Sequence, residues 1–253
     1  LPNFFDIALA GFINYPEAAF SAGSVVTMTD QGKILYEPFS LWEEEGLFIP
    51  PQGLLKTLRE KYPIWTGILF RREVIKLTGG LDEEIGPLDL DFVYRISAKA
   101  PFVISKEPVA VCVNHETSSS ALPALSAYWP SWLKMIRHIT DDPEIPQSVK
   151  DKFETELTEQ IVAELSWIGI RRFEKRDFNM AARAADILTG ELNQDRKGRM
   201  LDWLVCRGRE STVFWRAVVA VIVLRRSLAS LINFRRRRLQ KKHGHLAVHL
   251  NDE

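Results

Sequence analysis

The sequence predicts an α/β domain followed by an α-helical C-terminal region, and three observations carry that prediction. Short apolar runs bounded by turn residues alternate with helical patterns up to about residue 122. Beyond that point the apolar residues recur at helical spacing almost without interruption. The 253 residues are 46% hydrophobic and 26% charged, a soluble globular balance with ample material for a core, which argues against disorder and against a multi-span membrane protein.

Taken in order, residues 4–15 place Phe4, Ile7, Ala8 and Phe12 at helical spacing and stop at Pro16. Residues 19–28 read as a buried strand. Thr29-Asp30-Gln31-Gly32 is a turn, and residues 33–36 are the returning strand. Residues 68–71 form another short strand, and residues 73–77 a single helical turn stopped by Gly79-Gly80. Residues 89–98 read as a helix with Phe92, Val93 and Ile96 facing inward, followed by two strands at 102–104 and 109–113. Helices are expected at 129–139, 148–172 and 178–188, broken at Arg176-Asp177. The small residues Gly169, Ala181, Ala182 and Ala185 resemble the packing positions of tetratricopeptide-like helix pairs. One pair makes no solenoid, so it reads as a helical hairpin packed on the first domain. The expected organisation is an α/β part at 1–122, a helical hairpin region at 123–210 and a basic amphipathic tail at 211–253.

The formal charge of zero hides an asymmetry. From Val213 onward stand nine Lys and Arg against Asp252 and Glu253, a balance of +7 that leaves −7 for the rest of the chain. The apolar run 217–224 is too short to cross a bilayer, which takes about 20 residues. Continued through Leu228, Leu231, Ile232 and Phe234, it resembles an interfacial amphipathic helix with a basic collar. Arg235, Arg236, Arg237 and Arg238 are expected to meet an anionic membrane surface, the plainer alternative being a solvated basic helix end. No reader motif for nucleic acid accompanies them, so no specific nucleic-acid partner is expected. Cys112 and Cys206 stand far apart without metal spacing, which points to a reducing compartment. The opening Leu1-Pro2-Asn3 has no initiator methionine and no basic leader, so the chain is expected to be cut from a longer one.

No phosphate-cradling glycine loop, HExxH, CxxC or nucleophile elbow is present. The chemistry-bearing feature is Asp89 and Asp91 just ahead of Arg95, at an expected helix start. Carboxylates in a first turn are favoured there by the helix dipole and can cap free N–H groups, which is the structural reading. The functional reading is a general base facing a cleft beside the Gly86-Pro87 turn. His115, after a strand, reads either as structural or as a metal or phosphate contact.

In order along the chain come Trp65-Thr66-Gly67-Ile68-Leu69-Phe70-Arg71-Arg72-Glu73-Val74, Gly79-Gly80-Leu81-Asp82-Glu83, Leu88-Asp89-Leu90-Asp91-Phe92 with Arg95, and His115 with its serine run. This series resembles the second half of the family-2 glycosyltransferases, over residues 1 to about 140. The resemblance implies an incomplete Rossmann-like nucleotide-diphospho-sugar transferase sheet. It also implies inverting transfer of a sugar from a nucleotide-diphospho-sugar to a glycan or lipid-linked acceptor hydroxyl. Asp89 matches that family's catalytic base; Trp65, Thr66, Gly67 and Asp91 would line the acceptor side. His115 matches its contact to the diphosphate and to a divalent metal, Mn or Mg. Arg95 is expected to hold the helix and its carboxylates. The chain departs from the pattern at Leu88, where the family commonly has Glu. Its Asp-rich motif and nucleotide pocket have no counterpart in this sequence, so the chain alone is expected to be inactive. A cytoplasmic enzyme, peripheral on the inner face of a membrane, is the expectation that follows. The alternatives are a non-catalytic half-domain acting as a binding module, and a helical membrane-associating adaptor.

Overall fold

A computed structural model describes residues 1–36, 42, 44–60, 62–86, 88–114 and 125–232. The chain divides into two compact units. Among the described residues the first holds 1–114 and 127–154, and the second holds 125–126 and 155–232.

The first unit is a five-stranded mixed sheet with helices on both faces. Its centre is β1 (Phe20–Thr29), buried along nearly its whole length, as a strand covered on both faces must be. Strand β5 (Phe102–Asn114) runs parallel to β1 along one edge. The other edge is shared: β4 (Ile68–Phe70) pairs antiparallel with its first residues and β2 (Ile34–Tyr36) with its last. Strand β3 (Gly46–Phe48) closes the far side, antiparallel to β5. The turn between β1 and β2 forms where the sequence predicts it. Gly32, at φ 75°, donates its N–H to the Thr29 carbonyl, and the Thr29 hydroxyl accepts from Lys33 N–H.

Two expectations are corrected here. The two strands at 102–104 and 109–113 are one, because the polar Ser105-Lys106-Glu107 stretch interrupts the hydrophobic pattern but not the backbone pairing. The register shifts between Ala22 and Val25 absorb the irregularity. Helix α2 (Gln52–Glu60) was not anticipated. Its buried Leu54, Thr57 and Leu58 are spaced for a helix face, but nine residues give too little periodicity to read.

Helix α1 (Phe4–Asn14) covers one face of the sheet, where Gly11 lies tight against Ser21 and Val103. Helix α4 (Leu88–Lys99) covers the other, burying Phe92, Val93 and Ile96 in the main core. Between them α3 (Val74–Thr78) ends at Gly79, whose φ of 76° is open to glycine and costly for other residues. Helix α5 (Leu125–Thr140) belongs to this unit from residue 127 onward.

Helix α6 (Gln147–Glu174) contributes residues to both units. The second unit adds α7 (Phe178–Asp186), a π turn at Ile187–Glu191, α8 (Asp195–Glu210) and α9 (Thr212–Ile232). Asp177 caps α7 by accepting from Met180 N–H at 3.2 Å. The core here is Phe173, Ala181 and Val205, with Trp215, Val218 and Val219 of α9 packed against it. Trp215 also donates its indole N–H to the Phe173 carbonyl at 2.8 Å. Among the described residues no helix is long and apolar enough to cross a membrane.

Candidate functional site

Four phenylalanines, one from each of four adjacent strands, stand side by side on the α4 face of the sheet. Strand register places Phe70 of β4 opposite Phe20 of β1, Phe20 beside Phe102 of β5, and Phe102 opposite Phe48 of β3. Their ring centroids are 5.6, 4.6 and 5.6 Å apart in that order. Contacts of this kind add about 0.5–1.5 kcal/mol each beyond the area they bury. Phe92 of α4 sits on the Phe70 end at 5.4 Å, and Trp65 packs on both, 4.9 Å from Phe70 and 5.8 Å from Phe92. The row thereby fixes where α4 lies on the sheet and where the indole of Trp65 emerges at the surface.

Trp65, Thr66 and Gly67 form a single 3₁₀ turn leading into β4. Trp65 and Thr66 are exposed and Gly67 is buried against β1. A Cβ on Gly67 would stand 2.5 Å from Val25 Cγ2 and 2.9 Å from the Gly23 carbonyl oxygen, so only glycine lets the turn lie this close to the strand. Asp89 stands one helical turn before Phe92 on the same face of α4. It is half-buried, and one carboxylate oxygen accepts from Leu90 N–H at 2.9 Å. The exposed indole wall and the Asp89 carboxylate therefore lie on the same side of α4.

Asp91 points inward. It is 1% exposed, and both oxygens are engaged: Oδ2 lies 2.7 Å from Arg95 Nε and Oδ1 lies 2.8 Å from His138 Nδ1. Arg95 uses its other nitrogens on the end of α3, donating to the Thr78 carbonyl and, at 2.7 Å, to that of Gly80. It ties the first turn of α4 to the end of α3. Arg71 has a similar part at the other end of β4, donating to the carbonyls of Ala18 and Pro16 and stacking on Phe12.

The loop before α4 is pinned to α5. Lys134 Nζ lies 2.7 Å from Asp82 Oδ2 and 2.6 Å from Glu84 Oε2, and His138 Nε2 is 3.4 Å from Asp82 Oδ2. The hydrogen bond from Lys134 holds the Asp82 carboxyl below its usual range and raises the lysine in return. Sequence reading missed Lys134 and His138. Their separation of four residues on one helix was the available signal, but nothing local names the carboxylates they face.

An open cleft of about 490 Å³ lies at the opposite end of α4, lined by Lys99, Arg137, His138, Asp141, Asp142 and Glu144. Asp89 and Lys99 are ten residues apart on that helix, about 15 Å along its axis. This cleft is therefore a different place from the surface that carries Asp89 and Trp65. Lys99 is paired with Asp142 at 2.7 Å.

His115 and Arg235, Arg236, Arg237 and Arg238 lie outside the described residues. Among the described residues there is no group of three or more His, Cys, Asp or Glu that could hold a metal ion. Cys112 and Cys206 are both free thiols. Compared with known proteins, the chain matches no family model, no curated protein and no solved structure.

Proposed function

We propose that this chain is the acceptor-side part of a nucleotide-diphospho-sugar transferase, built on part of a Rossmann-like sheet, with Asp89 as its general base. The observation that carries the proposal is the division of labour between two carboxylates two residues apart. Asp91 is buried and committed to Arg95 and His138, whereas Asp89 is half-exposed on the side of α4 where Trp65 offers an aromatic surface. An exposed indole suits the apolar face of a sugar ring, and a half-exposed carboxylate on the same side of the helix can take a proton from a hydroxyl bound there. In this reading Asp89 removes the proton of an acceptor hydroxyl on a glycan or a lipid-linked sugar. The oxygen forms a bond to the anomeric carbon of the donor, and the carbon–oxygen bond to the diphosphate breaks with inversion. The nucleoside diphosphate leaves with the electron pair. Trp65 and Thr66 contact the acceptor, Gly67 lets their turn sit close to β1, and Asp91 positions the helix.

The test is Asp89→Asn in the native protein from its source cells, assayed for nucleoside diphosphate release from sugar donors with Mn²⁺ and lipid-linked or glycan acceptors. Turnover is expected to fall about 100-fold or more with unchanged thermal stability. Unchanged turnover would remove the base assignment, and absence of turnover in the unsubstituted native protein would favour the second reading, a binding module in which Asp89 only accepts from Leu90 N–H. The 253 residues alone are expected to release no nucleotide, and clear turnover by them would overturn that part of the proposal.

A further inference from the structure

Helix α9 is apolar on two opposite sides. One side packs into the second unit through Trp215, Val218 and Val219. On the other, Val213, Ala217, Ala220, Val221 and Leu224 form a continuous stripe at helical spacing, all exposed to solvent. Val213, Val221 and Leu224 are 79%, 66% and 60% exposed. Two exposed arginines border the stripe, Arg216 along one flank and Arg225 along the other. Trp203 of α8, itself 54% exposed, packs edge-on against Phe214 at 5.4 Å beside the first turn of α9.

We infer that this outer face of α9 docks in the plane of an anionic phospholipid bilayer, with Val213, Val221 and Leu224 entering the acyl boundary. Charge complementarity selects this occupant. From Ser211 to Asn251 the chain has nine Lys and Arg and no Asp or Glu. An apolar protein partner would need no such run of cations, whereas acidic headgroups reward each one near the surface. A helix with an apolar face, cationic flanks and a tryptophan at its border has the composition of interfacial helices. It is not long and apolar enough to span, so the contact is parallel to the surface. Arg226 is not part of this face, since it pairs with Glu174 at 2.7 Å and ties α9 to α6. The inference does not depend on Asp89 or on sugar transfer.

The test is flotation of the whole 253-residue chain with vesicles of phosphatidylcholine alone and of phosphatidylcholine with phosphatidylglycerol. Binding is expected only to the anionic vesicles and is expected to weaken with salt. The double substitution Val221→Glu with Leu224→Glu is expected to abolish it while the far-UV circular dichroism and the monomeric mass stay unchanged. Should that pair disturb the fold, Val221→Ser with Leu224→Ser carries the same expectation. Arg216→Gln and Arg225→Gln are each expected to weaken binding roughly fivefold. Three outcomes overturn the inference. One is equal binding by the stripe variants, which would assign the contact to the basic segment alone. Another is no binding to anionic vesicles. The third is a dimer that the stripe variants dissolve, which would make the occupant a second copy of the chain.

Discussion

His138 Nδ1 lies 2.8 Å from Asp91 Oδ1, joining the last turn of α5 to the first turn of α4 across 47 residues of sequence. With Arg95 on the other oxygen, the pair takes both acceptors of a carboxylate that is 1% exposed. Removing Asp91 takes this carboxylate away from Arg95 Nε and from His138 Nδ1 in a largely buried setting. That costs far more than an exposed ion pair contributes.

Asp91→Ala is therefore expected to destabilise the protein by about 3 kcal/mol, whereas Asp89→Ala should cost under about 1 kcal/mol. Urea titrations of the two variants check this directly. Equal losses would mean that the two carboxylates do not divide into a structural and a surface group.

The phenylalanine row makes a second expectation. Phe102 is fully buried and touches Phe20, Phe48 and Trp42. Phe102→Ala removes the link between β1 and β3, at an expected cost of about 3–5 kcal/mol. An unfolding free energy lowered by less than about 1 kcal/mol would show that the row collapses around the gap.

Gly67→Ala tests the close approach of the Trp65 turn to the sheet. The added methyl would meet Val25 Cγ2 at 2.5 Å and the Gly23 carbonyl at 2.9 Å. The expected loss is about 1–3 kcal/mol, with the turn displaced and the Trp65 emission changed. An unchanged melting temperature would mean that β1 yields at no cost.

The Lys99–Asp142 pair has a defined pH signature. Burial pushes the Asp142 carboxyl up, but the hydrogen bonds from Lys99 and from Glu144 N–H, with the charges of Lys99 and Lys150, together bring it below the usual value. Hydrogen bonding to Asp142 likewise raises Lys99. A lowered carboxyl stabilises fully above its ordinary 3.8 and loses that contribution as pH falls through the lower folded value. A raised lysine stabilises fully below its ordinary 10.5 and loses that contribution as pH rises through the higher folded value. The stability gap between wild type and Lys99→Gln should thus be flat between those values, at about 1 kcal/mol for a partly covered pair that lines an open cleft. Stability measured from pH 2 to pH 8 checks it, and a gap that persists at pH 2 would assign the effect to lost packing of the lysine stem.

The parts of the molecule legible in the sequence are those made by neighbours along the chain. Phe4 to Phe12 repeat at helical spacing, Thr29 to Gly32 form a turn, Gly79 stops α3, and Phe92 and Ile96 mark the inner face of α4. Each rests on a period or a turn chemistry that a dozen residues suffice to show. Helix α2 was too short for that, and β5 was split in the reading because its polar middle hid an unbroken backbone. For the candidate site, the sequence pointed to Asp89 and Asp91 as a pair, but not to the different lots of the two carboxylates.

That difference was decided by tertiary structure. Which carboxylate faces inward depends on His138, and the place of α4 depends on Phe20, Phe48, Phe70 and Phe102 meeting in register. Strand register and helix facing bring together residues tens of positions apart, and no local period encodes such a meeting. The sequence by itself determined most of the elements; packing between distant strands and helices decided which side chains share a site.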